Sequence, residues 1–280
     1  MGPSRFLPDS YQTGDRIAVL AGRGDYPKLM VNRMHQAGAE CCLIGFEGET
    51  SDELIQQFPQ DRRCTVKVGQ INRTLKAMRG FGVRFAILVG QIRPGRLFRG
   101  LHPDLKAVAI LSRLKERNAE TIYGAIVAEM NAIGVHVLDG RAFIDDQLAT
   151  PGMMTGGKQR VDPTTLEHGI RIANEIARLD IGQGVVVKQG TTLCVEEFDG
   201  TDSMLRRAAR FETDGKLFVK TVKPSQNFAI DVPVFGETTL QCMAEGGVHA
   251  AALAAGSTIM LHKDRVIQKA QRMGIELLGF

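Results

Sequence analysis

Ile17-Ala18-Val19-Leu20-Ala21-Gly22-Arg23-Gly24-Asp25-Tyr26-Pro27 is the stretch that decides the fold. Five apolar residues in a row, with no polar alternation, predict a strand buried on both faces. Gly22 and Gly24 predict a tight turn at its end. Pro27 suits the first turn of a helix, and Leu29, Met30, Met34 and Ala37 give that helix its apolar side before Gly38. A buried strand, a glycine turn and a helix open a βαβ unit.

The alternation continues outward. Strands are expected at 41–44, 66–68, 83–89 and 135–138. Helices are expected at 71–79, stopped by Gly80, and at 105–114 and 119–132. Strands alternating with helices predict an α/β fold with a mostly parallel sheet. The stretch Thr150-Pro151-Gly152-Met153-Met154-Thr155-Gly156-Gly157 interrupts the pattern and reads as a linker or mobile loop. It divides the chain into an N-terminal domain, 1–150, and a second α/β domain, 151–280. The second domain starts with a well-marked helix, Asp162 as N-cap and Pro163 at the first position. Strands at 185–188, 191–196, 217–221, 259–261 and 275–278 follow, with helices at 202–210, 237–244 and 264–273.

Composition narrows the function. With 280 residues the chain has room for two ordinary domains. A net charge of +4, spread along the chain, and the lack of tryptophan argue against a nucleic-acid partner. Arg5, Asp9 and Asp15 break any N-terminal apolar run, and no window reaches 18 apolar residues. Five cysteines without a CxxC pair suit reduced thiols in the cytoplasm.

Four motifs carry the chemistry. In the first, glycines at Gly22 and Gly24 let backbone amides approach a phosphate at a helix N-terminus. Pro27 stands where a dinucleotide fingerprint has its third glycine, which argues against an NAD-dependent dehydrogenase. Contact with a nucleotide and a purely structural turn both remain open. In the second, Gly90-Gln91-Ile92-Arg93-Pro94-Gly95-Arg96-Leu97-Phe98-Arg99 follows an apolar strand, the place where open parallel sheets bind ligands. Gln91 and Arg93 are candidate contacts there, and the arginines suit phosphate or an anionic lipid surface.

The third motif runs through Asp180-Ile181-Gly182-Gln183-Gly184, Lys188 and Asp199-Gly200-Thr201-Asp202-Ser203-Met204-Leu205-Arg206-Arg207. Gly182 and Gln183 are candidate substrate contacts in a turn that enters a strand. Thr201 or Asp202 suits a helix cap. The fourth joins Lys223-Pro224-Ser225-Gln226 to Ile230-Asp231-Val232-Pro233-Val234-Phe235-Gly236. An aspartate inside an apolar run must be paired, hold a cation or shift its pKa. The bland alternative is a salt bridge from Asp231 to Lys220 or Lys223. Carboxylate oxygen beside lysines is also what a magnesium-phosphate site needs.

In this order the last two motifs, with the opening Leu20-Ala21-Gly22-Arg23-Gly24-Asp25-Tyr26-Pro27, resemble the LpxI family, the UDP-2,3-diacylglucosamine pyrophosphatases of lipid A synthesis. The resemblance runs from about Arg16 to the C-terminus. It implies a Rossmann-like N-terminal domain, a distinctive C-terminal domain with the substrate between them, and hydrolysis to UMP and 2,3-diacylglucosamine 1-phosphate with Mg2+. It places the family's essential aspartate at Asp231, as catalytic residue and metal ligand. On that basis Lys188 and Lys223 are candidate phosphate clamps, and Thr201, Asp202 and Gln226 would orient sugar or phosphate oxygens. Ala250–Ala255 or Leu97-Phe98 would line a trough for the acyl chains, unless they are ordinary core. The resemblance further implies a cytoplasmic homodimer touching the inner membrane, where its lipid-linked UDP-sugar lies. The family usually carries an acidic residue where this chain has Asn227 and an arginine where it has Ala229. That departure leaves open a non-catalytic or altered-specificity nucleotide-sugar-binding paralogue.

Overall fold

The computed structural model describes residues 4–92, 103–115 and 119–280. Arg93, Arg96, Leu97, Phe98 and Arg99 lie outside the described residues. Contacts divide the chain into two units, Met1–Asp145 with Phe228–Asp231, and Asp146–Asn227 with Val232–Phe280.

In the first unit, β1 (Arg16–Ala21) leads through the glycine turn into α1 (Asp25–Gln36). β2 (Glu40–Phe46), the short helix α2 (Asp52–Gln56), β3 (Arg63–Val66), α3 (Ile71–Phe81) and β4 (Phe85–Val89) follow. Then come α4 (Leu105–Arg113), α5 (Ala119–Asn131) and β5 (His136–Val137). Among the described residues the strands form one sheet in the order β3-β2-β1-β4-β5, parallel throughout. This is the Rossmann-like arrangement. β1 lies between β2 and β4, and Ile17, Ala18 and Val19 are fully buried. A strand covered on both faces has no wet side to alternate toward. The helix 71–79 runs past its expected stop. Gly80 is interior, and Gly82, at φ 62°, supplies the left-handed residue that ends α3.

The second unit contains β6 (Gly152–Met153), α6 (Pro163–Arg178), β7 (Gly184–Lys188), β8 (Thr191–Val195), α7 (Gly200–Arg207) and β9 (Lys216–Lys220). β10 (Val234–Phe235), α8 (Glu237–Glu245), β11 (Val248–Leu253), β12 (Ile259–Met260), α9 (Lys263–Arg272) and β13 (Glu276–Gly279) complete it. Its main sheet has the order β6-β13-β11-β9-β7-β8, with β9, β11 and β13 parallel and β7 running against both β8 and β9. The carboxyl ends of β8, β9, β11 and β13 therefore share one edge with the amino end of β7. α6 starts as expected: the Asp162 side chain accepts from the Thr165 N–H at 2.9 Å. Gly169 lets this helix press on the sheet, since a Cβ there would lie 2.7 Å from the Val219 side chain and 2.9 Å from that of Val187.

Two readings of the sequence are corrected here. Gly152 and Met153, placed in a linker, pair with Gly279 and Leu278 as an edge strand. Residues 250–255, offered as an acyl trough, are mostly β11, a central strand. Ala250 and Ala252 pack with α6 on one face, and Ala251 and Leu253 with the α7 and α8 core on the other, all buried.

Candidate active site

In the first unit, the sheet order changes direction between β1 and β4, where open α/β sheets hold their ligands. Two loops meet there. The Gly22 N–H donates to Val89 O at 2.8 Å, the Arg23 N–H donates to Gln91 O at 2.8 Å, and the Gln91 N–H returns to Arg23 O at 3.2 Å. A Cβ on Gly22 would lie 2.5 Å from Gln91 O, and one on Gly90 would lie 2.7 Å from Arg23 O. These glycines bind one loop to the other. The Gly22 amide, read as a phosphate donor, is engaged within the fold. Gly24 is exposed at φ 97° and caps α1 without a side-chain hydrogen bond. Gln91 is also exposed.

At the carboxyl edge of the second unit's sheet, the third motif closes on itself. Lys220 ends β9 with its side chain 8% exposed, and its ammonium donates to Thr201 Oγ1 at 2.9 Å. The Thr201 hydroxyl donates to Glu196 Oε1. Glu196 Oε2 is buried, accepts no hydrogen bond from the described residues and lies 3.7 Å from Lys220 Nζ. The two motif glycines make room for this glutamate. A Cβ on Gly182 would lie 2.2 Å from Glu196 O, and one on Gly184 would lie 2.7 Å from Glu196 Oε2. Gln183 O accepts from the Thr221 N–H at 2.9 Å, and the Thr221 hydroxyl reaches Asn174 Oδ1 at 2.7 Å. Thr201 is therefore part of a polar chain, and neither it nor Asp202 caps α7; Asp199 holds that position. Asp202 lies beside Cys242.

Lys188 is corrected. It ends β7 at the opposite edge of the sheet, paired across to Thr191, and its ammonium contacts Thr213. Gly184 opposite Lys220 marks the other edge. Four residues of strand separate the two, roughly 13 Å. Lys188 and Thr201 do not serve one phosphate.

The connection after β9 carries the fourth motif. The Lys223 N–H donates to Gln226 Oε1 at 3.1 Å and the Gln226 N–H to Lys223 O at 3.0 Å, which closes a turn around Pro224 and Ser225. The Lys223 ammonium pairs with Asp180. Phe228–Asp231 belong to the first unit, where Phe228 O accepts from the Gly140 N–H at 2.8 Å and the Arg141 guanidinium lies 3.5 Å from the Phe228 ring centroid. Asp139 pairs with Arg141 at 2.7 Å. The expected buried anion is not found. Asp231 is exposed, and Ile230 and Val232 beside it are only half-buried. The apolar neighbours in sequence do not desolvate this carboxylate.

Among the described residues, no three of His, Cys, Asp and Glu gather as a metal cluster. Magnesium is commonly held by one or two carboxylates with substrate phosphates and waters completing the shell, so an exposed Asp231 fits that chemistry. Among the described residues no helix is long and apolar enough to cross a membrane.

Two domain families match the chain. The LpxI N-terminal domain matches residues 16–147 and the LpxI C-terminal domain residues 150–278. The chain belongs to the LpxI family. A curated relative, UDP-2,3-diacylglucosamine pyrophosphatase LpxI of Caulobacter vibrioides (strain ATCC 19089 / CIP 103742 / CB 15), is 26% identical over 279 residues, covering 94% of this chain and 97% of that protein. Within the LpxI C-terminal domain, sequence reasoning did not single out Glu196, Lys220 and Thr221, which form the polar chain with Thr201, Gln183 and Asn174. The available signal was a charge closing an apolar run, at Val195-Glu196 and Val219-Lys220.

The cysteines of this LpxI protein give a local prediction. Burial pushes the Cys41 thiol up to about 12 and the Cys242 thiol up to about 11, with the Asp202 carboxylate acting in the same direction on Cys242. Cys42 and Cys194 are raised too, chiefly by burial. A raised thiol pKa keeps the unreactive protonated form at neutral pH. In the native protein at pH 8, a disulfide reagent should titrate the half-buried Cys64 quickly and the four buried thiols slowly. Denaturant should expose all five. Five fast equivalents without denaturant would contradict this packing.

Proposed function

We propose that this LpxI protein hydrolyses the pyrophosphate of UDP-2,3-diacylglucosamine, releasing UMP and 2,3-diacylglucosamine 1-phosphate. The observation that carries the reading is the match of both LpxI domains, in order, along nearly the whole chain. The relative's name points to the same substrate. In the reaction, water oxygen joins one phosphorus, the bridging P–O bond breaks, and the pair of electrons stays with the departing phosphate. Negative charge must be met at both phosphates.

Asp231, exposed on its turn, is the residue assigned to hold Mg2+, which when bound offsets phosphate charge and acidifies water. Lys223 and Gln226 close a turn in the same connection, and substrate phosphate would have to displace Asp180 from the Lys223 ammonium. Thr201 and Asp202 are assigned to the carboxyl edge of the second sheet. Gly24, Gln91 and Arg93 are assigned to the uridine half. The acyl chains of such a substrate keep it in a bilayer, so the protein is proposed to act from the cytoplasm at the inner membrane surface; the homodimer is proposed on the family resemblance alone.

Asn227 and Ala229 favour a second reading, binding without turnover. One assay separates the two: incubation with UDP-2,3-diacylglucosamine and Mg2+, with and without EDTA, and chromatography of UMP. UMP with Mg2+ and none with EDTA is the expected result. UMP untouched by EDTA removes the metal from the account and leaves the hydrolysis. Saturable binding with no UMP in either arm selects the binder.

A further inference from the structure

Lys220 is a buried ammonium that its surroundings do not satisfy. An ammonium has three donors. Among the described residues, Thr201 Oγ1 takes one at 2.9 Å, and Glu196 Oε2, at 3.7 Å, is beyond hydrogen-bond distance. The side chain is 8% exposed, so bulk water is a poor substitute. On the glutamate's side, Oε2 is buried with no donor among the described residues. Removing two charges from water costs more than a loosely matched pair returns, and an apolar pair of the same volume is often as stable. As a stability device this arrangement is inefficient. Its place is the carboxyl edge of the parallel strands, where α/β sheets bind ligands, at the end of the strand that leads into Lys223 and Gln226. Of the two lysines read from the sequence as phosphate clamps, Lys188 stands at the far edge and Lys223 is paired to Asp180.

We propose that Lys220 is a phosphate-binding residue of this site, meeting an oxygen of the substrate's pyrophosphate, and that Glu196 and Thr201 are positioning residues that aim its ammonium. This inference rests on the proposed hydrolysis for the identity of the substrate, but not for the class of ligand, a di- or monophosphate anion. Thr201 Oγ1 accepts a hydrogen bond from the ammonium and its hydroxyl donates one to Glu196 Oε1, which fixes the lysine's direction. Gly182 and Gly184 admit the glutamate that completes the arrangement.

The test is a pair of variants. Lys220→Met alone leaves Glu196 buried and unpaired, so it is expected to lower Tm. Lys220→Met with Glu196→Gln removes both charges at nearly constant volume and is expected to restore Tm to near that of the unaltered protein. Restored stability should not bring back the site. The double variant should bind inorganic pyrophosphate, by calorimetry, about ten- to a hundredfold more weakly than the unaltered protein, as expected for a lost charged hydrogen bond. Its KM for UDP-2,3-diacylglucosamine should rise at least as much. A double variant with unaltered Tm, pyrophosphate affinity and kcat/KM would show a merely structural pair and overturn the inference. If the unaltered protein binds pyrophosphate but releases no UMP, and the double variant loses that binding, the hydrolysis fails and the anion site stands.

Discussion

Asp231→Ala is expected to leave the protein folded and to lower UMP release about a thousandfold. The two halves of that expectation have separate causes. The side chain is exposed and its flanking residues are half-buried, so truncation opens no cavity. Substitutions of that kind usually change stability by no more than about 0.5 kcal/mol. The activity has a different scale. A carboxylate that holds a cation against a diphosphate contributes several kcal/mol of charge stabilisation in the transition state, and about 4 kcal/mol is a factor of about a thousand. Circular dichroism and Tm should match the unaltered protein while kcat/KM collapses. Turnover within tenfold of normal would remove Asp231 from the mechanism.

The second large effect falls on stability. Gly182→Ala would place a methyl carbon 2.2 Å from the carbonyl oxygen of Glu196 and 2.9 Å from its carbonyl carbon. Both are backbone atoms next to β8, so relief requires moving the strand end and the glutamate it positions. Overpacking of this type costs about 1–3 kcal/mol, occasionally more. In a domain of this size that lowers Tm by roughly 4–10 °C. Gly80→Ala is the matched control. It lies inside α3, nothing surrounds its Cβ position within 4 Å, and its φ is not positive. Alanine there should be neutral or stabilise by up to about 1 kcal/mol. Equal Tm values for the two variants would contradict the packing of the Gly182 turn.

The first unit was largely legible because its signals are local. The unalternated run at Ile17–Ala21, the glycine turn and Pro27 report a double-sided strand feeding a helix, and the order of elements then restricts the sheet. The sequence reading missed α2 and set β3 at 66–68 where it spans Arg63–Val66, and it also misplaced one helix end. Gly80 and Gly82 are both glycines near a helix end, and only the backbone shows which one turns left-handed. In the second unit β11 escaped notice because Val248-His249-Ala250-Ala251-Ala252-Leu253 has little strand propensity. Its position between β9 and β13, with a core on each face, decides its conformation. Alanines fit where helices press close on both sides. Gly152 and Met153 are strand only because β13 offers them an edge.

The site was legible as motifs and misread in its roles. Apolar neighbours in sequence suggested a buried Asp231, yet at a turn they need not surround it in space. Lys188 and Lys220 look alike on paper, each closing an apolar run. The reversal of β7 against β9 sends them to opposite edges, and no property of either residue announces that. Gly182 reads as a ligand contact, as a glycine in a motif often does, whereas the missing side chains of Gly182 and Gly184 make room for Glu196.

The central claim is cleavage between the two phosphorus atoms of a nucleotide-linked diphosphate, and the products report it directly. Mass spectrometry of a reaction with UDP-2,3-diacylglucosamine and Mg2+ should find UMP and 2,3-diacylglucosamine 1-phosphate in equal amounts, with no UDP formed. UDP with unphosphorylated diacylglucosamine would place the break in the linkage between the sugar and its phosphate, and an unconsumed substrate bound to the protein would mean no reaction at all; either result contradicts the account.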